Sequence, residues 1–321
     1  MTSGSEAMPE SRPQSQRMES QGVASQAVAR PQISATRLMY WSVRRELWES
    51  RSIYIAPIAV AGVFLFGFLI SLVGLPHRMR AAMPLDPAQQ RELLGMPYDF
   101  VANLMMLTGM LVSVFYCLDA LHGERRDRSI LFWKSLPVSD FTTVLAKACI
   151  PLIILPLITF AVAVATQVIM LLCSSVVLLA SGLSVATLWR QVSLFHMSGL
   201  LLYHLVTAHA LWPAPVYCWL LLVSGWARRA VFLWATLPVL AIAGVEKIVF
   251  GTAHFASMVA SHLIGDTPTV SFAMKNVFPT NPMTHITPGT FLSAPGLWIG
   301  LAVSAIFLAA AVRVRRYREP I

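Results

Sequence analysis

Long apolar runs without formal charge, separated by shorter polar segments, set the pattern of this chain. Six of these runs are long enough to cross a hydrocarbon layer of about 30 Å, which takes roughly 20 helical residues. They cover about residues 53–73, 98–118, 145–175, 200–224, 231–250 and 291–312. The pattern therefore predicts an all-α polytopic membrane protein with six transmembrane helices.

Proline and glycine predict where these helices end or bend. The uncharged stretch from 148 to 189 would be about 60 Å long as a helix, too long for one perpendicular crossing. Ser181-Gly182 is its expected end. Pro213 and Pro215 predict a bend in the fourth span, because each removes a backbone donor from a helix interior. Residues 74–98 are rich in proline and are predicted to form an outward loop.

The positions of the basic residues predict that both termini are cytoplasmic. Lys and Arg concentrate in the cytoplasmic loops of membrane proteins. Four groups of residues, before the first span, in 119–147, at Arg228-Arg229 and after the sixth span, hold 18 of the 24 Lys and Arg. We therefore expect a multi-pass protein of the bacterial cytoplasmic (inner) membrane.

The segments before the first span have two distinct compositions. Residues 1–35 lack an apolar run, which predicts a disordered cytoplasmic tail rather than a signal peptide; residues 36–321 are predicted to form one transmembrane domain. Residues 36–51 suit an interfacial helix, and a basic flank to the first span is the alternative interpretation. At helical angles this segment has an apolar side with Met39, Val43, Leu47 and Trp48, and a charged side with Arg45, Glu46 and Glu49.

The segment 119–147 is the longest charge-dense block within this apolar chain. It holds five basic residues, and its middle adds bulky apolar side chains that indicate a docking surface rather than a solvated loop. These are Ile130, Leu131, Phe132, Trp133 and Leu136. Ser139 or Asp140 is expected to cap the third span.

Composition and motifs narrow the function further. The net charge of +9 does not indicate nucleic acid as a partner, because the basic residues lie at the ends of spans. The chain lacks the motifs GxxxxGK[ST], HExxH and GxSxG, so we predict neither ATP hydrolysis nor another enzymatic activity in this chain. The four cysteines lie in or beside apolar runs without CxxC spacing, and no redox role, metal site or cofactor is assigned to them.

The histidines and one outer charge pair leave alternatives open. His204 and His209 are spaced by five and His254 and His262 by eight, which does not give the i, i+4 face of a helical metal site. A histidine-dependent membrane enzyme therefore remains the weaker alternative. Glu246-Lys247 either anchors the outer end of the fifth span at the interface or lines a substrate exit. The apolar spacing within residues 251–290 favours a short amphipathic or re-entrant helix.

Three motifs resemble the membrane subunit of ABC type 2 (exporter-type) permeases. They are ERRDRSILFWKSLPVS at 124–139, RRELWESR at 44–51 and APVYCWLLLVSGWARR at 214–229, and the resemblance covers about residues 36–321. It implies re-entrant helices between the fifth and sixth spans. It also implies a second permease copy or paralogue and a separate cytoplasmic ATPase subunit, which binds the ATP.

The resemblance also implies that residues 119–142 form a coupling segment seated in a groove of that ATPase. The implied contact residues are Glu124, Arg125, Arg126, Asp127, Phe132, Trp133, Ser135, Leu136 and Pro137. We thus expect the permease subunit of an ATP-driven exporter. A membrane anchor or sensor that recruits a cytoplasmic partner through the same segment is the alternative. No large outward domain indicates the substrate.

Overall fold

The computed structural model describes residues 34–129, 138–264 and 288–317. The chain divides into two units, Met1–Leu38 and Met39–Ile321. In the first unit, the described residues 34–38 contain the beginning of a helix. The second unit holds the apolar helices. Within the described ranges the regular structure is helical throughout.

The helices are numbered in chain order. The first half contains α1 Ala35–Glu49, α2 Ser52–Ser71, α3 Leu75–Ala82, α4 Pro87–Asp119, α5 His122–Arg126, α6 Asp140–Cys149, the π-helix π1 Ile150–Ile154, and α7 Leu155–Ala180. The second half contains α8 Ala186–Gln191, α9 Leu194–His204, the π-helix π2 Leu205–Leu211, α10 Ala214–Trp226, α11 Val231–Phe250, α12 His254–Ile264, α13 Pro288–Ser293 and α14 Pro295–Tyr317.

Six helical segments in the described part of the chain are long and apolar enough to cross a membrane. They are Ser52–Ala82, Pro87–Arg126, Asp140–Ala180, Ala186–Leu211, Val231–Phe250 and Pro295–Tyr317, here called spans 1 to 6. This confirms the prediction of an all-α polytopic membrane protein with six spans. The shorter apolar helix α10 follows span 4.

The prediction of an outward loop over residues 74–98 is wrong. The chain there forms α3 and the first turns of α4, which begins at Pro87 rather than at Tyr98. The backbone of Asp86 is extended, and Pro87 follows at the first helical position, where its missing N–H is not needed. Pro97 lies inside the helix without ending it.

Other helix ends agree with the sequence signals. α7 ends at Ala180, and Gly182 adopts a left-handed φ of 67°, which glycine reaches without a steric penalty. At the start of α6, the Ser139 Oγ accepts a hydrogen bond of 3.1 Å from the Thr142 backbone N–H. Of the two residues that the sequence offered as caps, Ser139 is therefore the one that caps span 3.

The bend predicted from two prolines is found at Pro213, whereas Pro215 lies in the first turn of α10. α9 continues into π2, the chain turns at Pro213, and α10 begins at Ala214. π2 packs against π1 of span 3. Each π-helix has i→i+5 hydrogen bonds, which insert an extra residue and widen the helix locally. Two distorted segments thus meet inside the bundle.

Two apolar clusters hold the bundle together. One is built from spans 1 to 4 around Tyr98, Met105 and Met170. The other surrounds Tyr217 and Leu221, where α10 packs between α4 and α14. α11 contributes few buried residues, and most of its large apolar side chains are exposed, as expected of a helix that faces lipid.

Candidate functional site: a buried charge cluster

Glu46 enters the bundle from α1. Val43 and Leu47 pack against the second apolar cluster, and Glu46 lies beside them with only 2% of its surface exposed. The expectation that Glu46 belongs to a charged side of an interfacial helix therefore does not hold, because Glu46 is buried. The physical reason is that Lys147 of α6 meets its carboxylate inside the protein.

Six side chains form what we call the charge cluster: Arg45, Glu46, Glu124, Asp140, Lys147 and Arg315. Lys147 of α6 lies at its centre. Its Nζ is 2.8 Å from Glu46 Oε2 and 3.2 Å from Glu124 Oε1. One ammonium group therefore joins carboxylates from the helix before span 1 and from the end of span 2.

Glu124 is the carboxylate with the most cationic partners. Its Oε1 is also 3.0 Å from Arg45 Nη2, and its Oε2 accepts a hydrogen bond from Arg315 Nη1. Arg315 lies near the end of α14, and its Nε donates to Asp140 Oδ1 at 3.0 Å. Glu124 thus binds cations from α1, α6 and α14.

The centre of the cluster is deeply buried. Glu46, Glu124, Lys147 and Arg315 each expose 4% or less of their side-chain surface. The Tyr116 hydroxyl donates a further hydrogen bond of 3.0 Å to Glu46. Burying such charges is costly, and removal of one partner leaves an uncompensated charge. The arrangement therefore favours one geometry of the helices that carry it.

The end of span 2 is also fixed to the end of α10 by reciprocal capping. The Ser224 Oγ accepts hydrogen bonds from the backbone N–H groups of Leu121 and His122, at 3.1 and 2.9 Å. In return, Arg125 Nη1 donates to the carbonyls of Gly225 and Ala227, at 2.8 and 3.2 Å. Helix ends have unpaired backbone groups, and here each end satisfies the other.

The charge cluster and these caps lie on one side of the bundle. They join α1, the end of span 2, the beginning of span 3, the end of α10 and the end of span 6. The helix before span 1 and the end of span 6 therefore meet on the same side. Among the helices described, the base of the predicted coupling segment is the point where they converge.

The structure divides the predicted contact residues into three groups. Glu124 and Arg125 are buried and bind residues of this chain. Arg126 and Asp127 are exposed by 60% and 64% and pair with each other at 3.1 Å. The remaining five, Phe132, Trp133, Ser135, Leu136 and Pro137, lie outside the described residues.

Glu46 is held in its ionised form. Burial alone would raise the pKa of this carboxyl, but the charges of Lys147 and Arg45 and their hydrogen bonds lower the pKa below its ordinary value. The neighbouring Glu49 has the opposite shift: partial burial and the negative charge of Glu46 raise its pKa. Of these two carboxylates on α1, Glu46 is therefore the one that folding stabilises in its charged state.

The shift at Glu46 predicts a dependence of stability on pH. Because its folded pKa lies below the ordinary 4.5, its contribution is complete above pH 4.5 and is lost as the pH falls through the folded pKa. In detergent, the melting temperature of the wild type should fall more steeply than that of Glu46→Gln when the pH is lowered below this value. Equal slopes for the two proteins would contradict the assignment.

Glu246, a member of the charge pair Glu246-Lys247, has a structural role near the end of α11. Glu246 accepts hydrogen bonds from the Thr252 hydroxyl and from the backbone N–H groups of His254 and Phe255, at 2.8, 2.7 and 2.8 Å. Its carboxylate therefore caps the beginning of α12, an 11-residue helix within the segment where a short helix is expected.

The histidines do not assemble a metal site among the described residues. No group of three or more His, Cys, Asp or Glu side chains there is arranged to hold a metal ion. The spacing of His204 and His209 is changed by π2, which follows His204. Because a π-helix has i→i+5 hydrogen bonds, residues five apart lie closer to one face than they do in an α-helix.

Comparisons with protein-family models, with curated proteins and with solved structures found no match for this chain. Its function is therefore inferred from the motifs and the geometry described above.

Proposed function

We propose that this protein is the membrane permease subunit of an ATP-driven exporter of the ABC type 2 class, in the bacterial cytoplasmic membrane. Three observations support the proposal. They are the six apolar spans, the motif at 124–139, and the convergence of helices at the base of that motif. ATP is bound and hydrolysed by a separate subunit, and a second permease copy or paralogue completes the pathway.

The charge cluster is the observation that carries the proposal. An energy-coupling segment has to transmit force from a partner to several spans, so its base has to be attached to them. Glu124 provides this attachment through Lys147 of span 3, Arg315 of span 6 and Arg45 of α1. A displacement of the segment would then move these helices together instead of bending a free loop.

Within this proposal the contact residues have two different tasks. Glu124 and Arg125 act as positioning residues, because their partners lie within this chain. Arg126 and Asp127 are exposed and are available to the ATPase. Phe132 and Trp133 supply the aromatic anchors, a residue class in which binding energy concentrates at interfaces.

Co-purification with an ATPase encoded nearby tests the proposal. We expect the tagged chain to retain the ATPase in detergent and Trp133→Asp to lose most of it, because a carboxylate cannot replace an aromatic anchor in an apolar groove. Trp189→Asp is the matched control. Trp189 is 48% exposed and lies in α8, at the beginning of span 4, and its substitution should leave binding unchanged.

Two results would contradict the proposal. The first is a wild-type chain that retains no ATPase, and the second is a Trp133→Asp variant that binds as well as the control. Stimulation of ATPase activity by cargo in reconstituted vesicles then separates an exporter from a mere anchor, since an anchor has no cargo to couple.

A further inference from the structure

A small cavity lies beside the two π-helices. It leaves about 10 Å³ for the centre of a water-sized sphere, roughly the room that one water molecule takes, and is bordered by α4, by α7 just after π1, by π2 and by α10. Its polar lining consists of Ser113, Thr159, His209 and Tyr217. The serine, threonine and tyrosine side chains carry no charge, and the histidine side chain can be neutral.

Thr159 differs from many other hydroxyls in the spans. Many of those donate to the carbonyl four residues earlier, which is the usual way to satisfy a hydroxyl inside an apolar helix. Among them are Thr108, Thr166, Ser175, Thr207 and Ser304. Thr159 is 0% exposed, and its Oγ1 has no hydrogen-bond partner among the described residues.

Gly109 creates the space into which this hydroxyl points. A Cβ at Gly109 would lie 2.8 Å from Thr159 Oγ1, which is too close for a carbon and a hydroxyl oxygen. Any larger residue there would push Thr159 back towards its own helix. The glycine on α4 therefore lets the Thr159 hydroxyl face the cavity.

His209 and Tyr217 likewise have a buried polar atom without a hydrogen-bond partner among the described residues. The Nδ1 atoms of His204 and His262 hydrogen-bond to the carbonyls of Leu200 and Met258, at 3.0 and 2.9 Å. His209 Nδ1, in contrast, has no such partner in the described part of the chain. The Tyr217 hydroxyl, on a residue 1% exposed, lies beside Ser113 without a hydrogen bond of normal geometry to it.

We propose that this cavity is a binding site for one small neutral hydrogen-bonding molecule, and that water is its occupant. Buried polar groups without partners are costly, and three of them share one cavity. An internal water molecule needs two to four polar partners and room for about one water-sized sphere, and the cavity supplies both. The lining residues described include no carboxylate, ammonium or guanidinium group that would favour an ion over a neutral molecule. The inference does not depend on the ATPase.

Infrared spectroscopy of a buried thiol tests the proposal directly. Thr159→Cys places an S–H group in the cavity, and its stretching band moves to lower wavenumber when the thiol is hydrogen-bonded. Ala163→Cys is the control, because Ala163 is 0% exposed, lies one turn along α7 and belongs to an apolar cluster. Subtraction of the wild-type spectrum removes the four native cysteines.

We expect the Thr159→Cys band to lie below that of Ala163→Cys and to exchange on transfer to D₂O. Coincident bands without exchange would overturn the proposal. Thr159→Val provides a second measurement: loss of a water-bonded hydroxyl lowers the melting temperature, whereas loss of an orphaned one leaves it equal or raises it. An equal or higher melting temperature would therefore also count against an occupied site.

Discussion

Glu124→Gln is expected to lower the free energy of unfolding by about 3–5 kcal/mol, the usual cost of breaking a buried ion pair from one side. The neutral amide would leave Lys147 and Arg315, each exposed by 4% or less, with too little negative charge. Reversible unfolding in mixed detergent micelles measures this quantity. If the proposed function is correct, the same variant should also weaken ATP-driven transport, because the proposed coupling segment loses its attachment to spans 3 and 6.

Asp127→Asn is the matched control for this prediction. Asp127 also lies at the base of the coupling segment, but its pair with Arg126 is exposed to solvent, and such pairs contribute little to stability. We expect no measurable change in the unfolding free energy. Similar losses for the two variants would show that the charge of the segment, rather than the buried attachment, matters.

The second large effect concerns the pair of Lys147 and Glu46. Lys147→Met alone should destabilise by about 3–5 kcal/mol, because it leaves two buried carboxylates without their common cation. The double variant Glu46→Gln/Lys147→Met should lose less than the sum of the two single variants, by about 0.5–3 kcal/mol. The same unfolding assay on the four proteins yields this coupling energy.

Glu246→Gln is the control variant for two sites that do not interact, whose effects on the free energy of unfolding should add. Its carboxylate binds Thr252, His254 and Phe255 and shares no partner with Lys147. The effects of Glu246→Gln and Lys147→Met should therefore add within experimental error. If Glu46 and Lys147 were just as additive, the charge cluster would not be an interacting unit.

Hydropathy was sufficient to predict the membrane fold. Each span has to satisfy its own backbone within an apolar layer, so long apolar runs are read as helices with few alternatives. Local chemistry also predicted several ends, such as the cap at Ser139 and the stop at Gly182. The prediction of a loop over 74–98 is wrong because proline also suits the first turn of a helix. Pro87 occupies this position at the start of α4.

Only part of the candidate site could be predicted from the sequence. The resemblance to ABC type 2 permeases singled out Glu124 and Arg125 but implied a partner outside the chain for them. Their partners come from residues as distant in sequence as Arg315 and Gly225, and no local pattern encodes such pairings. The scarcity of charge in an apolar chain was the available signal, because a carboxylate beside a span is costly unless a cation meets it.

The π-helices were likewise beyond local prediction. Pro213 indicated distortion, but the choice between a kink and an i→i+5 segment depends on how neighbouring helices pack. The cavity at Thr159 follows from that packing together with Gly109.

The connectivity of the charge cluster also orders the assembly of the protein during synthesis. Chains emerge from the ribosome with their N-terminal parts first, so Glu46, Glu124 and Lys147 can meet once span 3 has been made. Arg315, from span 6, arrives only after every other span described. Until then one oxygen of Glu124 lacks its guanidinium partner. The contact between Glu124 and Arg315 can therefore form only after span 6 has been made.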